Sequence, residues 1–159
     1  MSDVQRLLEV LADAGVDFVV VGGVAMVLRG SGRVTVDIDL CYARDEENLT
    51  RIARALAPYH PRLRGAPEGL PFLWDARTLR SGLNFTLTTD LGYVDLLGEI
   101  TGLGDFHAVA RGATAVDVGR TQPQVLDLDA LERSKRAAGR VKDLLDLAEI
   151  AEIRRRAKR

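Results

Sequence analysis

Residues 19–40 read VVVGGVAMVLRGSGRVTVDIDL, and this stretch decides the fold. The run of valines predicts a buried strand over residues 17–21, followed by a two-glycine turn and a short helix over residues 23–28. A flexible loop then leads to a second strand over residues 34–40, in which apolar and polar side chains alternate. The segment therefore predicts a strand–helix–strand unit at the centre of a sheet.

Asp37 and Asp39 lie two residues apart in that second strand, so both carboxylates are expected on one face of the sheet. Two such carboxylates repel each other unless a cation lies between them. Gly22 and Gly23 begin the predicted helix, where backbone N–H groups suit a phosphate. The alternatives are a half-exposed polar strand face and glycines that permit close packing. Together the four residues favour metal-dependent phosphoryl or nucleotidyl transfer.

The composition is that of one globular domain, or of one domain with a helical appendage. The chain has 159 residues, of which 47% are hydrophobic, so it can form a core. No apolar run approaches the length of a bilayer span, and the first residues lack the features of a signal peptide. We expect no membrane association. Cys41 has no partner for an internal disulfide, which favours a cytoplasmic location.

The rest of the sequence mixes helices with strands, including a hairpin, and predicts an α+β fold with a mixed β-sheet, flanking helices and a C-terminal helical pair. In the last helix, the predicted inward residues are Leu144, Leu145, Ala148, Ala151 and Ile153. Residues 1–125 are interpreted as a catalytic core, and residues 126–159 as C-terminal helices that complete the active site and end in a basic tail. Helices are predicted at 4–14, 45–56, 127–138 and 141–158, further strands at 72–79, 83–88, 93–97 and 114–118, an irregular loop at 58–71, and a loop or broken helix at 101–112.

Asp95 interrupts the apolar segment YVDLL of the predicted hairpin. An acid in an apolar strand is unfavourable unless it is paired or binds a metal. If the hairpin packs beside the strand of residues 34–40, Asp95 becomes a third carboxylate of the cluster, acting as a general base or as a ligand of a second metal. The alternative is an acid at the end of a strand that faces solvent.

Basic residues concentrate at the C-terminal end, where residues 133–159 hold 10 basic and 4 acidic side chains. Lys135 is one of only three lysines, and its compact ammonium group suits a nucleotide phosphate. Arg140 and Lys142 accompany it, and Arg33 flanks the glycine-containing loop, from which it could reach a phosphate. The alternative for all four is a solvated basic surface.

Other common catalytic and metal-binding patterns are missing from the sequence. His60 and His107 lack partners at suitable spacing and do not form a zinc site with Cys41. The sequence has no GxxxxGK[ST] phosphate-binding loop and no convincing serine–histidine–aspartate set.

The segments GGVA and RGSGRVTVDIDL resemble the opening of the minimal nucleotidyltransferases of the polymerase-β-like superfamily. The later segments LTTDLGYVDLLGEI and SKRAAGRVKDLLDL resemble the third and fourth sequence blocks of its AbiEii-like branch. That branch includes the nucleotidyltransferase toxins of abortive-infection and toxin–antitoxin systems. The resemblance extends over about residues 17–150.

This resemblance implies a role for each matching residue. Gly22 and Gly23 would contact the nucleotide phosphates, although many superfamily members have a serine in place of Gly23. The chain also lacks the large C-terminal domain with which other members of the branch bind an acceptor. The resemblance further implies Asp37 and Asp39 as ligands of Mg²⁺ or Mn²⁺, Asp95 as the hairpin acid, Lys135 as a ligand of the triphosphate, and Asp143 as the acid of a lysine–aspartate pair.

The expected reaction is transfer of a nucleoside monophosphate from a nucleoside triphosphate to an acceptor hydroxyl. The branch implies a toxin that acts on tRNA or on a protein side chain, with an antitoxin as its partner. Two alternatives stay open: a nucleotidyltransferase for a small molecule such as an antibiotic, and a catalytically quiet member of the fold that binds nucleotide or protein. A nucleic-acid-binding module is a third idea, but no aromatic residues are interleaved with the basic C-terminal residues for base stacking.

Overall fold

The computed structural model describes residues 3–67 and 69–159. Its strands are β1 Phe18–Val21, β2 Asp37–Tyr42, β3 Arg62–Leu63, β4 Phe85–Thr89, β5 Gly92–Leu97, β6 Glu99–Ile100, β7 Gly104–Asp105, β8 Ala113–Ala115 and β9 Gln124–Leu126. Its helices are α1 Asp3–Asp13, α2 Gly22–Leu28, α3 Glu46–Leu56, α4 Ala76–Ser81, α5 Phe106–Ala110, α6 Leu128–Ala138 and α7 Val141–Ala157, with a 3-10 turn at Ala57–Tyr59. None of the described helices combines the length and the apolar character needed to cross a bilayer.

Seven strands form one mixed sheet in the order β3-β4-β5-β2-β1-β9-β8, and β6 and β7 form a separate small ladder. Strand β2 is central, because it pairs antiparallel with β1 and parallel with β5. The β4–β5 hairpin lies with β5 beside β2. From the sequence, this placement was stated only as the condition under which Asp95 would join the carboxylate cluster. The predicted α+β fold with a mixed sheet and a closing helical pair is confirmed.

The core lies between the sheet and the helices that cover it. Helix α3 begins where the Asp45 side chain accepts a hydrogen bond from the Asn48 backbone N–H, and it buries Leu49, Ile52 and Leu56 at helical spacing. The C-terminal helices contribute to the same hydrophobic core through four residues that are at most 6% exposed, namely Ala130, Leu131, Ile150 and Ile153.

The predicted strand over residues 34–40 is wrong at its beginning. Strand β2 starts at Asp37, and Val34 and Val36 are 93% and 71% exposed. The ladder with β5 begins at Asp37, opposite Tyr93, and the ladder with β1 begins at Asp39. Neither of these two ladders extends to residues 34–36. Although apolar and polar residues alternate there, the segment therefore stays outside the sheet.

The predicted strand over residues 72–79 is also wrong, because helix α4 forms there instead. The Asp75 side chain accepts a hydrogen bond from the Thr78 backbone N–H, which starts the helix, and Leu79 is fully buried. The expected loop at 58–71 contains the edge strand β3, and the region 101–112 contains β7 and α5. Strand β9 was not predicted. It pairs parallel with β1 and has little local signal over its three residues.

Helix α7 presents a different face from the one predicted. Leu144 and Leu145 are 60% and 70% exposed, and Ala148 and Ala151 are also exposed. Of the predicted inward set, Ile153 is the one that is buried. Ile150 is buried in the core instead. Asp143 and Asp146 are also buried, and their carboxylates pair with basic side chains of neighbouring elements.

Asp127 sets the start of α6, the helix that carries Lys135. Its side-chain oxygen accepts a hydrogen bond of 2.8 Å from the Ala130 backbone N–H. We expect Asp127→Ala to lower the free energy of unfolding by about 1 kcal/mol, since this N–H loses its partner. Asp127→Asn retains an oxygen acceptor and should lose much less. Urea denaturation of the three proteins measures the difference, and equal losses in both variants would show that the cap does not stabilise the helix.

Candidate active site

Three carboxylates meet on one face of the sheet. Asp37 and Asp39 are two residues apart on β2, and Asp95 on β5 lies directly opposite Asp39 in the parallel register. Side chains that are opposite in a parallel ladder lie on the same face. The Asp37 and Asp95 side chains are 43% and 25% exposed, so the cluster is open to solvent on one side.

Asp39 has the most perturbed ionisation of the three. Burial, together with the negative charges of Asp95 and Asp37, raises the pKa of Asp39 from its ordinary value of 3.8 to about 7. A hydrogen bond between the carboxyl groups of Asp39 and Asp95 favours the protonated form further, and the ammonium of Lys135 acts in the opposite direction. The cluster therefore holds more negative charge than its surroundings stabilise.

Gly22 brings the backbone of the β1–α2 turn against the carboxylate cluster. Its φ of +64° lies in the left-handed region, and a Cβ atom at this position would lie 2.0 Å from Oδ2 of Asp39. No other residue could occupy this position without displacing the carboxylate. A Cβ at Gly23 would instead lie 3.2 Å from the Thr35 hydroxyl oxygen, so Gly23 packs on the loop before β2.

A cavity of about 280 Å³ joins this turn to the C-terminal helices. Gly22 and Asp39 line one side of it, and the opposite side belongs to α6, α7 and the residues that connect them. Asn84, Glu99, Thr101 and Ser134 add polar groups. The predicted site residues of the C-terminal block that line it are Lys135, Arg140, Lys142 and Asp143.

Lys135 is held by two carboxylates of α7. Its Nζ lies 2.9 Å from Oδ2 of Asp146 and 3.6 Å from Oδ1 of Asp143, and its side chain is 15% exposed. Hydrogen bonds from Arg140 lower the pKa of Asp143 to about 2, so this carboxylate is ionised. Asp143 thus anchors both Lys135 and the start of α7. Sequence reasoning named Asp143 but did not include Asp146 in the site.

Arg33 lies outside the set of residues that line this cavity. Its guanidinium forms ion pairs with Asp146 and Glu149 of α7, and the Ser31 hydroxyl donates a hydrogen bond to Glu149. Asp146 therefore connects Arg33 with Lys135. Arg33 thus fixes the position of α7, the helix whose carboxylates hold Lys135.

Arg64 is a residue of the site that sequence reasoning did not identify. Its Nη2 donates to Oδ1 of Asp95 at 3.0 Å and to the Leu87 carbonyl at 2.7 Å, while its Nη1 lies 3.9 Å from Oδ2 of Asp37. The guanidinium also lies over the ring of Tyr93, 4.4 Å from its centroid. No sequence signal marks Arg64, which follows a two-residue strand inside a predicted loop.

In their chemistry, though not in their present arrangement, the carboxylates of the cluster suit a divalent metal ion. Carboxylate oxygens are the ligands that Mg²⁺ and Mn²⁺ prefer, and Oδ1 of Asp37 is buried without a hydrogen-bond partner. Within residues 3–67 and 69–159, no three acidic, histidine or cysteine side chains already converge on one ion position. Two of the three carboxylates, those of Asp37 and Asp95, lie beside the guanidinium of Arg64 instead of facing a common ion position.

No protein-family model matches the chain, and no curated protein is similar to it in sequence. Among solved structures, it is similar to that of a putative nucleotidyltransferase from Thermotoga maritima, with a TM-score of 0.59 and 20% sequence identity. The similarity covers 96% of each chain. At this level of identity, it shows that the chain has a nucleotidyltransferase fold. It leaves the predicted AbiEii-like branch as a prediction.

The raised pKa of Asp39 predicts a pH dependence of stability in metal-free buffer. Between about pH 4 and pH 7, the folded chain keeps a proton that the unfolded chain has lost, so stability falls as the pH rises. Asp39→Asn removes this loss. We expect the variant to match the wild type near pH 4 and to become progressively more stable than it up to pH 8.

Thermal denaturation in the presence of EDTA measures this difference. Asp117→Asn is the control, because Asp117 is exposed and its carboxylate accepts a hydrogen bond from Gln122, which an asparagine oxygen can also accept. A pH-independent difference between Asp39→Asn and the wild type would contradict the raised pKa of Asp39.

Proposed function

We propose that the chain is a metal-dependent nucleotidyltransferase that transfers a nucleoside monophosphate from a nucleoside triphosphate to an acceptor hydroxyl. The observation that carries the proposal is one cavity lined by Gly22, Asp39 and Lys135, with Asp37 and Asp95 beside Asp39 on the same face of the sheet. A tight backbone turn, clustered carboxylates and an opposing cation are the elements that transfer from a triphosphate requires.

Asp37, Asp39 and Asp95 would hold Mg²⁺ or Mn²⁺, and when bound, two such ions polarise the phosphoryl oxygens and neutralise charge on the triphosphate. The acceptor oxygen attacks the α-phosphorus, the bond from that phosphorus to the bridging α–β oxygen breaks, and pyrophosphate leaves. Asp95 is the proposed acceptor of the hydroxyl proton, because it lies directly opposite Asp39 on the neighbouring strand.

The triphosphate would lie between the β1–α2 turn and the C-terminal helices. Gly22 allows its phosphates to approach the backbone, and the N–H of Gly23 follows in the first turn of α2. Lys135 would contact the β- or γ-phosphate and stabilise the leaving pyrophosphate. Arg140 and Lys142 line the same cavity and add positive charge, whereas Arg33 supports the site through Asp146.

The acceptor follows from the resemblance to the AbiEii-like branch. We propose a hydroxyl of tRNA or of a protein side chain, as for a toxin of a toxin–antitoxin or phage-defence system, with an antitoxin as the partner. Residues 126–159 supply Lys135, Arg140, Lys142 and Asp143, and we propose that they complete the active site of the core. An antibiotic-modifying role would require a small-molecule acceptor, and a quiet binding protein would not need the three carboxylates.

The direct test is incubation with each α-labelled nucleoside triphosphate, Mg²⁺, and one of three acceptors: total RNA, total protein or an aminoglycoside. We expect label transfer from at least one nucleotide, its loss with EDTA, and at least a hundredfold loss in Asp37→Asn and Asp39→Asn, since either change removes a metal ligand. Asp117→Asn is the control and should retain activity. Transfer that persists in Asp39→Asn would contradict the proposed site, and transfer to an aminoglycoside alone would identify a small-molecule enzyme.

Lys135→Ala should weaken triphosphate binding or slow transfer about tenfold or more, because the anionic leaving group loses its counter-ion. Lys158→Ala is the matched control, since Lys158 is an exposed lysine at the end of α7. Nucleotide titration by calorimetry and initial rates measure the two effects, with melting temperatures recorded for each variant. Equal behaviour of the two variants would show that Lys135 belongs to a general basic surface.

A further inference from the structure

Arg64 occupies the side of the carboxylate cluster opposite to the Gly22 turn. It follows the edge strand β3, and its side chain extends across β4 to reach β5, with its own backbone N–H bonded to the Thr86 carbonyl. The guanidinium contacts Asp95 at 3.0 Å and lies 3.9 Å from Asp37. It is therefore a cation positioned beside two of the three carboxylates that the proposed metal site needs.

The hydrogen bonding of this cluster is incomplete. Across residues 3–67 and 69–159, two buried side-chain nitrogen or oxygen atoms lack a hydrogen-bond partner, and they are Oδ1 of Asp37 and Nε of Arg64. Both belong to the same ion-pair group. Buried polar atoms are normally paired, so Oδ1 of Asp37 is an acceptor that remains available to a further cation.

The arginine also has contacts that do not involve the carboxylates. Its Nη2 donates to the Leu87 carbonyl at 2.7 Å, and its plane lies over the Tyr93 ring. The partner groups in these contacts, a carbonyl and an aromatic ring, carry no net charge, so a divalent ion does not compete for them as strongly as it competes for the carboxylate of Asp95. The guanidinium can therefore stay anchored at the edge of the site after it loses the carboxylates.

We propose that Arg64 is a built-in counter-ion, which holds Asp95 and Asp37 in the metal-free protein and releases them when a divalent metal binds. The inference rests on the proposed function, since it assumes that the carboxylates bind metal. A guanidinium and a divalent ion compete for the same oxygen atoms, so Arg64 stabilises the metal-free fold and weakens metal binding. Loss of Arg64 should therefore lower the stability of the metal-free protein but raise its metal affinity. Loss of a purely structural residue would lower the stability without raising the metal affinity.

The test measures Mn²⁺ binding without nucleotide, by calorimetry and by the electron paramagnetic resonance signal of free Mn²⁺. Arg64→Met should bind Mn²⁺ about threefold to tenfold more tightly than the wild type and melt at a lower temperature in EDTA, because the competing cation is removed. Arg62→Met is the control. It removes the same charge two residues earlier in the chain, but Arg62 is exposed and forms no side-chain hydrogen bond or ion pair with the described residues.

Unchanged or weaker Mn²⁺ binding in Arg64→Met, relative to Arg62→Met, would overturn the inference. If Arg64→Met does not fold, Arg64→Gln decides: a glutamine loses the charge but keeps an N–H donor for the Leu87 carbonyl, and Mn²⁺ affinity equal to that of the wild type or weaker would also overturn the inference. Asp39→Asn separates the two proposals. If it binds Mn²⁺ as well as the wild type does, the proposed metal site fails, whereas loss of binding there with no effect in Arg64→Met refutes the counter-ion role alone.

Discussion

The parallel pairing of β2 with β5 is the constraint on which the rest of the site depends. It places Asp39 directly opposite Asp95, with Asp37 one step along the same face. Like charges opposite each other destabilise a sheet, and here burial adds to the repulsion and raises the pKa of Asp39 to about 7. The fold accepts this local instability at the point where a divalent cation and a triphosphate are proposed to bind.

Two cations from distant parts of the chain approach the cluster from opposite sides. Lys135 on α6 lines the cavity with Asp39, and Arg64 after β3 pairs with Asp95. Their partners differ in kind. Lys135 is held by ionised carboxylates of α7 that lie outside the cluster, whereas Arg64 binds cluster carboxylates themselves. Lys135 can therefore remain in place as a phosphate approaches, while Arg64 is the cation that competes with a metal.

Helix α7 shows how charge can override apolar periodicity. Leu144 and Leu145 suggested an inward face, but Asp143 and Asp146 face the protein because Lys135 and Arg33 offer them partners there. A buried carboxylate that is paired on several sides is acceptable, and one turn of apolar side chains is then left exposed. The hydrophobic pattern of a helix does not indicate whether its neighbours carry cations.

The sequence by itself determined the mixed α+β fold, the turn at Gly22, and the candidacy of Asp37, Asp39, Asp95, Lys135 and Asp143. Most of these features depend on short-range rules, such as alternation along a strand and an acid in an apolar segment. Asp143 was named instead from the resemblance of the segment SKRAAGRVKDLLDL to the AbiEii-like branch. The tertiary structure alone decided that residues 34–36 lie outside β2, that α4 replaces a predicted strand, and that Arg33 braces α7. It alone identified Arg64 and Asp146. Arg64 pairs with Asp95, which is 31 positions away, and Asp146 pairs with Lys135 on a different helix, so strand pairing and helix packing decide these contacts.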